Sequence, residues 1–398
     1  MTDDAFQPTR DAALARLASF APNAGHAYAS GRNTDNGPSA HNAVSKMSPY
    51  LRYRLVSEQE VTAQILRQHS FADAEKYVQE VAWRTYWKGW LEMRPSVWTQ
   101  FVSECDTARI EYAGSSDLAA AVAGRTGIAG FDDWARELIE TGYLHNHARM
   151  WFASIWIFTL RLPWTLGADF FLQHLLDADA ASNTLSWRWV GGLQTAGKTY
   201  LATADNIARY TNGRFEPEGL AISAPPLPAT AVPAAQPLVD KGQYNEDKPT
   251  LLMVTHEDLA PETLFRDARA IAGVAVATDD TLLWGDAARA FARKGANDAA
   301  ARAARHYSCQ PTMLPHLSAE ALADTARALG VDQIVTPYAP VGPVADVLHE
   351  IAAALAPEGI GLVQVRRDWD DRLWPHATKG FFPFKEQLPS ALRNLGII

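Results

Sequence analysis

The sequence predicts a multi-domain protein of the α and α/β classes, with an all-helical first part and a parallel, Rossmann-like α/β second part. In the first part, apolar residues recur at helical spacing. In the second, short apolar runs rich in β-branched residues alternate with helical stretches. A stretch rich in Pro and Ala without periodicity lies between them and is predicted to be an interdomain linker. The predicted divisions are residues 1–215, 216–249 and 250–398.

Helices are predicted in the first part wherever apolar residues recur every three or four positions. The stretch VSKMSPYLR (residues 44–52) predicts one more, beginning near Pro49 with a preceding serine as its N-cap. No stretch of this part alternates like a strand. The periodic helical segments are residues 56–70, 73–93, 131–142 and 145–160.

Strands and helices alternate in the second part, which is typical of a parallel sheet with crossover helices. Neither GxGxxG nor GxxxxGK[ST] occurs there, so no motif of this part predicts a ligand. The predicted strands are residues 251–256, 272–279, 332–339 and 360–365, and the predicted helices are 319–330 and 343–355.

Composition excludes several classes of protein. No run of 18 apolar residues predicts a membrane span, and the acidic N-terminus MTDDAFQPTR does not resemble a signal peptide, so we expect a cytoplasmic protein. The two distant cysteines, Cys105 and Cys309, exclude a disulfide framework and a cysteine-ligated metal cluster. With a formal net charge of −9, any DNA binding requires a local basic groove.

The chain has 13 tryptophans, and ten of them lie between Trp83 and Trp189. Such clustering is explained by a large aromatic core. It is also explained by a stacking surface for bases or for a ring cofactor, or by an electron relay. The clustering alone leaves these alternatives open.

One predicted helical face carries Tyr77, Glu80, Trp83, Arg84 and Trp87. An ordinary amphipathic helix with an i,i+4 ion pair between Glu80 and Arg84 explains this pattern. A charged pair within an aromatic stripe also suits a flat polar ligand, which would stack on Trp83 and donate hydrogen bonds to Glu80.

Together, the motifs resemble the flavin-binding helical domain of the photolyase/cryptochrome family. The resemblance covers roughly residues 25–215. It rests on VSKMSPYLR, on EVAWRTY (80–86), on the ungapped block GRTGIAGFDDWARELIETGYLHNHARMWFASI (124–155), and on LLDADAASNTLSWRWVGG (175–192).

The resemblance implies an FAD cofactor. It places Asn183 opposite flavin N5, where an amide favours the reduced and neutral-radical forms. The FAD phosphates would be held by Tyr28, Ser45, Lys46, Met47 and Ser48. The flavin and adenine cavity would be lined by Tyr77, Arg84 and Arg149. The ring and ribose side would be contacted by Asp177 and Asp179.

The resemblance also implies an electron-transfer chain through Trp187 and Trp164. The third donor of the family is usually Trp, and the nearest candidate here is Tyr112. The stretch TAGKTYLATADNIARY (195–210) stands where the family usually has GTDAxPYFRIFNP, and it resembles the bacterial iron–sulfur branch of the family more closely. The four cluster cysteines of that branch are absent, so no metal cluster is expected.

The expected function is repair of cyclobutane pyrimidine dimers in UV-damaged DNA by a monomer. The resemblance implies as catalytic residues Glu80, Trp83, Asn146, Met150 and Trp189. It implies as DNA-binding residues Glu80, Trp83, Arg84, Trp87, Asn146, His147 and Arg149. His147 stands where the family has a DNA-contacting Arg. The alternative is a cryptochrome-like blue-light photoreceptor. The acidic charge of the helical half, His147 and the altered segment Lys198–Tyr210 favour it.

The order of the predicted domains differs from that of the family, whose members begin with an α/β antenna domain. Here TLLMVTHEDLAPETLF (250–265) and WPHATKGFFPFKEQLPSAL (374–392) resemble the entry and exit of that domain. We therefore predict a circular permutation with an antenna-like domain at the C-terminus. The sequence leaves open whether a second, antenna chromophore binds there, and which one it is.

Overall fold

The computed structural model describes residues 6–41, 43–228, 231–240, 242–267 and 269–398. In this part of the chain, no helix combines the length and the apolar character needed to cross a membrane.

The first part is helical over its described residues, as the sequence predicts. The first six helices are α1 (Arg10–Phe20), α2 (His26–Gly31), α3 (Ser48–Arg52), α4 (Glu58–Leu66), α5 (Phe71–Glu92) and α6 (Ser96–Glu111). The next six are α7 (Ser116–Val122), α8 (Phe131–Thr141), α9 (Asn146–Ser154), α10 (Trp164–His174), α11 (Ala180–Val190) and α12 (Ala204–Tyr210). A π-helical turn, Ile155–Thr159, extends α9.

Side-chain caps fix where several of these helices begin. Ser57 and Glu60 form a reciprocal capping box at α4, and the Ser70 hydroxyl accepts from the backbone N–H of Asp73 at the start of α5. The serine cap predicted for α3 is wrong. That helix begins at Ser48 itself, after Met47, whose side chain makes no capping hydrogen bond.

The second part contains a five-stranded sheet with the strand order β3-β2-β1-β4-β5, in which every neighbouring pair is parallel. The strands are β1 (Thr250–Val254), β2 (Ile271–Ala277), β3 (Thr312–Leu314), β4 (Gln333–Pro337) and β5 (Gly361–Val365). The helices between and after them are α13 (Asp286–Tyr307), α14 (Ala319–Leu329), α15 (Pro343–Leu355), α16 (Asp368–Leu373), α17 (Phe381–Lys385) and α18 (Leu388–Asn394).

The two faces of the sheet have different neighbours. Leu252 and Val254 of β1 belong to a core that also contains α13 and the helical part, whereas Leu251 and Met253 pack with α14 and α15. This alternation follows from the two-residue period of a strand. The sequence analysis missed β3, which has three residues, and did not identify α13.

The stretch between the two parts, residues 216–249, contains no helix or strand among its described residues. It contacts the second part where the N–H of Asn245 donates to Gln333 of β4, and it lies against the helical part elsewhere. The N–H of Leu227 donates to the carbonyl of Gly191 at 3.0 Å, and that of Gln236 to the carbonyl of Met93 at 2.8 Å. These bonds hold the connecting chain along the surface.

After β5, the chain returns to the helical part and packs on α5. The indole N–H of Trp369 donates to the Thr85 hydroxyl at 2.8 Å. At Gly89 the two chain segments touch so closely that an added Cβ would lie 2.9 Å from the Cα of Trp374. This C-terminal segment, residues 366–398, therefore packs against the helical half.

Buried ion pairs join the same regions. Arg52 makes two 2.9 Å hydrogen bonds to Glu257, which follows β1. Arg54 binds Asp370 of α16 at 2.6 and 2.9 Å, and Arg367 binds Asp258 at 2.6 and 2.7 Å. Because each of these buried charges has a partner, the desolvation cost is offset only in this arrangement of the two parts.

Glu92, the last residue of α5, provides a pH-dependent link to the loop after β4. Its carboxylate accepts from the Tyr338 hydroxyl at 2.8 Å and from the N–H of Val341 at 2.5 Å. Burial raises the pKa of Glu92 to about 7. At a pH between the ordinary pKa of a glutamate and about 7, Glu92 binds a proton in the folded chain but not in the unfolded chain. The contribution of Glu92 to the free energy of unfolding therefore falls as pH rises through this range.

We expect Glu92→Gln to gain stability relative to the native chain as pH rises from about 5 to about 8, by up to about 3 kcal/mol. The glutamine keeps an acceptor oxygen but cannot ionise. Urea unfolding at several pH values measures the difference, with the exposed Glu111→Gln as the control. If the difference in free energy of unfolding between Glu92→Gln and the native chain does not change with pH, Glu92 is not the group that titrates in this range.

Candidate functional site

The helical part contains a cavity of about 440 Å³ whose walls come from α2, α3, α5, α9, α10 and α11. Most residues implied by the family resemblance line it. They are Tyr28, Ser45, Lys46, Met47, Ser48, Tyr77, Glu80, Trp83, Arg84, Trp87, Asn146, Arg149, Met150, Asp177, Asn183, Trp187 and Trp189. The fold thus brings residues up to about 160 positions apart in the sequence around one space.

On the α5 wall, Glu80 is held by two partners from the N-terminal region. The Tyr28 hydroxyl donates to Glu80 Oε2 at 2.7 Å, and Arg32 forms an ion pair with Oε1. Burial, and then the neighbouring Glu80 carboxylate, raise the pKa of Tyr28 well above its usual value, so its hydroxyl keeps its proton. The carboxylate retains unused lone pairs for a ligand.

Arg149 and Asp177 form a bidentate ion pair in the cavity. Two guanidinium N–H groups donate to the two carboxylate oxygens at 3.0 Å each, while Nε donates to the carbonyl of Leu144 at 2.8 Å. Burial alone would raise the pKa of Asp177, but Arg149 and then Arg84 hold that pKa below its ordinary value. Asp177 is therefore ionised, and Arg149 has a fixed orientation.

A second ion pair lies beside the first. Arg84 pairs with Asp179, and its other terminal nitrogen reaches the carbonyl of Asp177 at 3.4 Å. Asp179 does not line the cavity itself; its side chain caps α11 by accepting from the N–H of Ser182. Arg84, Lys88 and Arg52 overcome the effect of burial and lower the pKa of Asp179 to about 2.

Asn183 lies on the α11 wall, one turn from the start of the helix. Its Nδ2 donates to the carbonyl of Ala168 at 2.8 Å. Two neighbours on the same wall, the Ser182 hydroxyl and the Trp187 indole N–H, are buried without a hydrogen-bond partner among the described residues. Buried polar atoms are normally satisfied, so these two atoms indicate a polar ligand in the cavity.

Aromatic rings form two further parts of the wall. Trp83 and Trp87 lie on α5 with their ring centroids 5.3 Å apart. Trp189 on α11 stacks with Tyr200 at 5.8 Å. Flat apolar surfaces beside the charged groups suit a ligand that combines rings with polar edges.

Besides Asp179, three residues implied by the resemblance lie outside the cavity. The Nδ1 atom of His147 lies 2.9 Å from the carbonyl oxygen of Asn33, and its ring stacks on Trp151 at 4.3 Å. Trp164 packs on Phe101 at 5.5 Å. Tyr112 caps the end of α6 and is partly buried against the core.

Sequence analysis missed two functional candidates. Arg32 follows α2 directly and reaches Glu80 across 48 positions of sequence. Ser182 lies in the first turn of α11, one residue before Asn183. For Arg32, no motif provided a signal; for Ser182, its place beside Asn183 was the available signal.

Comparisons with known proteins agree with this site. Residues 77–222 match the family model "FAD binding domain of DNA photolyase". The chain is 32% identical over 199 residues to a deoxyribodipyrimidine photo-lyase of Streptomyces griseus, which covers 47% of this chain and 43% of that protein. It is 30% identical over 244 residues to one of Thermus thermophilus, with 59% and 54% covered.

The chain therefore spans about half or less of the length of these relatives. A solved structure, a bacterial class III photolyase from Agrobacterium tumefaciens, is 26% identical, with a TM-score of 0.41 over 52% of this chain and 46% of that one.

The matched residues include most of α5 and all of α9 and α11, the three helices that carry most of the cavity wall. A flavin dinucleotide has rings, hydroxyls and anionic phosphates, and the cavity offers groups that fit each of these. They are the aromatic walls, the unpartnered Ser182 hydroxyl and Trp187 indole, and the paired arginines. Residues 77–222 are thus similar to the FAD-binding domain of DNA photolyase, and the chain has deoxyribodipyrimidine photo-lyases among its relatives.

Proposed function

We propose that this chain splits cyclobutane pyrimidine dimers in UV-damaged DNA under blue light, as a deoxyribodipyrimidine photolyase. One observation carries the proposal: a single cavity is lined both by the residues expected to hold FAD and by the five residues expected to bind the dimer. Those five are Glu80, Trp83, Asn146, Met150 and Trp189.

In this proposal, the chain holds the cofactor through groups that are already oriented. Arg149 and Arg84, fixed by Asp177 and Asp179, provide positive charge along one wall. The loop before α3, which includes Ser45 and Lys46, faces the same space and would contact the phosphates. Bound reduced FAD supplies the light-driven electron transfer.

The remaining wall would bind the dimer. A dimer is poorly stacked in DNA, so its extrusion into a cavity costs only a few kcal/mol. Trp83 and Trp189 offer flat surfaces for the bases, and Glu80 accepts a hydrogen bond from a pyrimidine N–H. Asn146 provides both a donor and an acceptor for a base edge, with Met150 one turn further along α9.

Electron supply to the flavin is proposed to pass through Trp187 and Trp164. Trp187 lines the cavity and lies edge-on to Phe171 and Trp156, with centroid distances of 5.1 and 6.2 Å. Tyr112 stays the predicted terminal donor. The domain order is likewise a proposal: a helical FAD domain, residues 1–215, a linker, and an antenna-like domain, residues 250–398, moved to the C-terminus.

The second candidate is a blue-light photoreceptor that signals through the flavin redox state. The position of His147 favours it. Its Nδ1 lies 2.9 Å from the Asn33 carbonyl and its Nε2 lies 3.4 Å from the Tyr200 hydroxyl, so both ring nitrogens are engaged and neither is directed to a DNA phosphate. The net charge of −9 agrees with weak DNA affinity.

The deciding experiment is blue-light repair of a single-stranded oligonucleotide with one cyclobutane thymine dimer, using purified reduced protein and a dark control. A single strand removes the cost of flipping the dimer out of a duplex. Light-dependent restoration of the thymines supports the photolyase. No restoration by protein that holds photoreducible flavin would overturn repair and favour the photoreceptor.

Glu80→Gln should weaken binding of the dimer-containing strand about tenfold and lower the repair yield, because a hydrogen bond to a charged acceptor is lost. The flavin content should not change. Glu75→Gln is the matched control, since Glu75 lies on the same helix and bonds Gln79 away from the cavity. Equal repair by native and Glu80→Gln protein would remove Glu80 from the mechanism.

Ser182→Ala should weaken FAD binding about threefold to tenfold, the range expected for one hydrogen bond. The stability of the apoprotein should change little, because the hydroxyl bonds no described residue. Titration of apoprotein with FAD, followed by flavin fluorescence, measures the affinity. Thr184→Val is the control: this hydroxyl is also buried and unpartnered among the described residues but does not line the cavity, so its removal should leave FAD affinity unchanged.

A further inference from the structure

The C-terminal segment places a ring directly on Trp83. Phe381, the first residue of α17, stacks on the Trp83 indole with a centroid distance of 3.6 Å and an interplanar angle of 11°. Phe381 is only 6% exposed and is not among the described residues that line the cavity, whereas Trp83 is. The stack therefore covers the face of Trp83 that is turned away from the cavity.

Hydrogen bonds from α5, which carries Trp83, and from Arg94 just after it hold the backbone before Phe381. The Tyr86 hydroxyl donates to the carbonyl of Lys379 at 2.7 Å, and Arg94 donates to the carbonyl of Thr378 at 2.8 Å. The chain just before Phe381 is therefore held beside the helix that carries Trp83, although the two residues are almost 300 positions apart in the sequence.

The other aromatic neighbours of Trp83 do not set its plane in the same way. Tyr86 meets it edge-on at 83°, and Trp87 is tilted by 37°. A parallel ring in van der Waals contact restricts rotation of an indole more than an edge contact does, because any turn of the indole separates the two faces. Among the described residues, Phe381 is the ring that lies parallel to Trp83.

We propose that Phe381 is a positioning residue: it holds the plane of the Trp83 ring so that the opposite face can stack on a flat base in the cavity. This inference rests on the proposed function and names the substrate class as a pyrimidine of damaged DNA. It also makes the C-terminal segment, which follows the sheet, part of the substrate site of the helical half.

The test compares three variants for binding to a single strand with one thymine dimer. Phe381→Ala should bind about threefold to tenfold more weakly, the loss expected for one aromatic stack. Phe381→Tyr should bind within about twofold of the native protein because the ring remains. Phe382→Ala is the matched control, since the adjacent Phe382 is 73% exposed, and it should bind normally. Flavin content should be the same in all.

A double-mutant cycle shows whether Phe381 acts through Trp83. In a Trp83→Ala background, Phe381→Ala should cause no further loss. An equal loss in both backgrounds would overturn the proposal. So would tighter binding by Phe381→Ala, which would mean that Phe381 obstructs the site. If Phe381→Ala does not fold, Phe381→Leu keeps the apolar volume without the parallel ring and takes its place.

The failure of the proposed function is distinguishable from the failure of this inference. Native protein that binds the damaged and undamaged strands equally would overturn dimer recognition. Near-ultraviolet circular dichroism then tests the ring contact alone. Phe381→Ala should change the spectrum of the native chain more than that of Trp83→Phe, in which only the contacts of Phe381 with other rings, such as Tyr86, are lost. Equal changes in both backgrounds would overturn the positioning role.

Discussion

The packing of the C-terminal segment on α5 is the contact on which the rest of the structure depends. One side of α5 forms a wall of the cavity, with Glu80, Trp83 and Arg84. The other side receives Trp369 through Thr85 and Trp374 at Gly89. Since a single rigid helix carries both contacts, the position of the cavity wall depends on a segment that follows the sheet in the chain.

Paired charges keep the two halves in one arrangement. Arg52 and Arg54 are buried, and their partners Glu257 and Asp370 come from the loop after β1 and from the C-terminal segment. Removing one member of such a pair leaves an unpaired buried charge, which costs several kcal/mol. The pairs therefore contribute more to the uniqueness of the arrangement than to its total stability.

Ion pairs also orient the charged side chains of the cavity. Arg149 and Arg84 are oriented by Asp177 and Asp179 before any ligand enters, so binding does not have to immobilise flexible side chains. Glu80 is likewise held by Tyr28 and Arg32 while its carboxylate keeps free acceptor capacity. These groups form a polar site with little freedom, which is what orienting a flat cofactor and a flat substrate requires.

The sequence by itself determined the features that depend on local periodicity: the helical face with Tyr77, Glu80 and Trp83, and the strand-helix alternation of the second half. The family motifs extended this to the cavity residues. Local patterns did not reveal β3, whose three residues are too short for a periodic signal, or the start of α3 without a serine cap. Only the tertiary structure decided the strand order, the pairing of Arg32 with Glu80 and the stack of Phe381 on Trp83. The physical reason is that these contacts join residues far apart in the chain, and no periodicity of either segment specifies the partner that folding places against it.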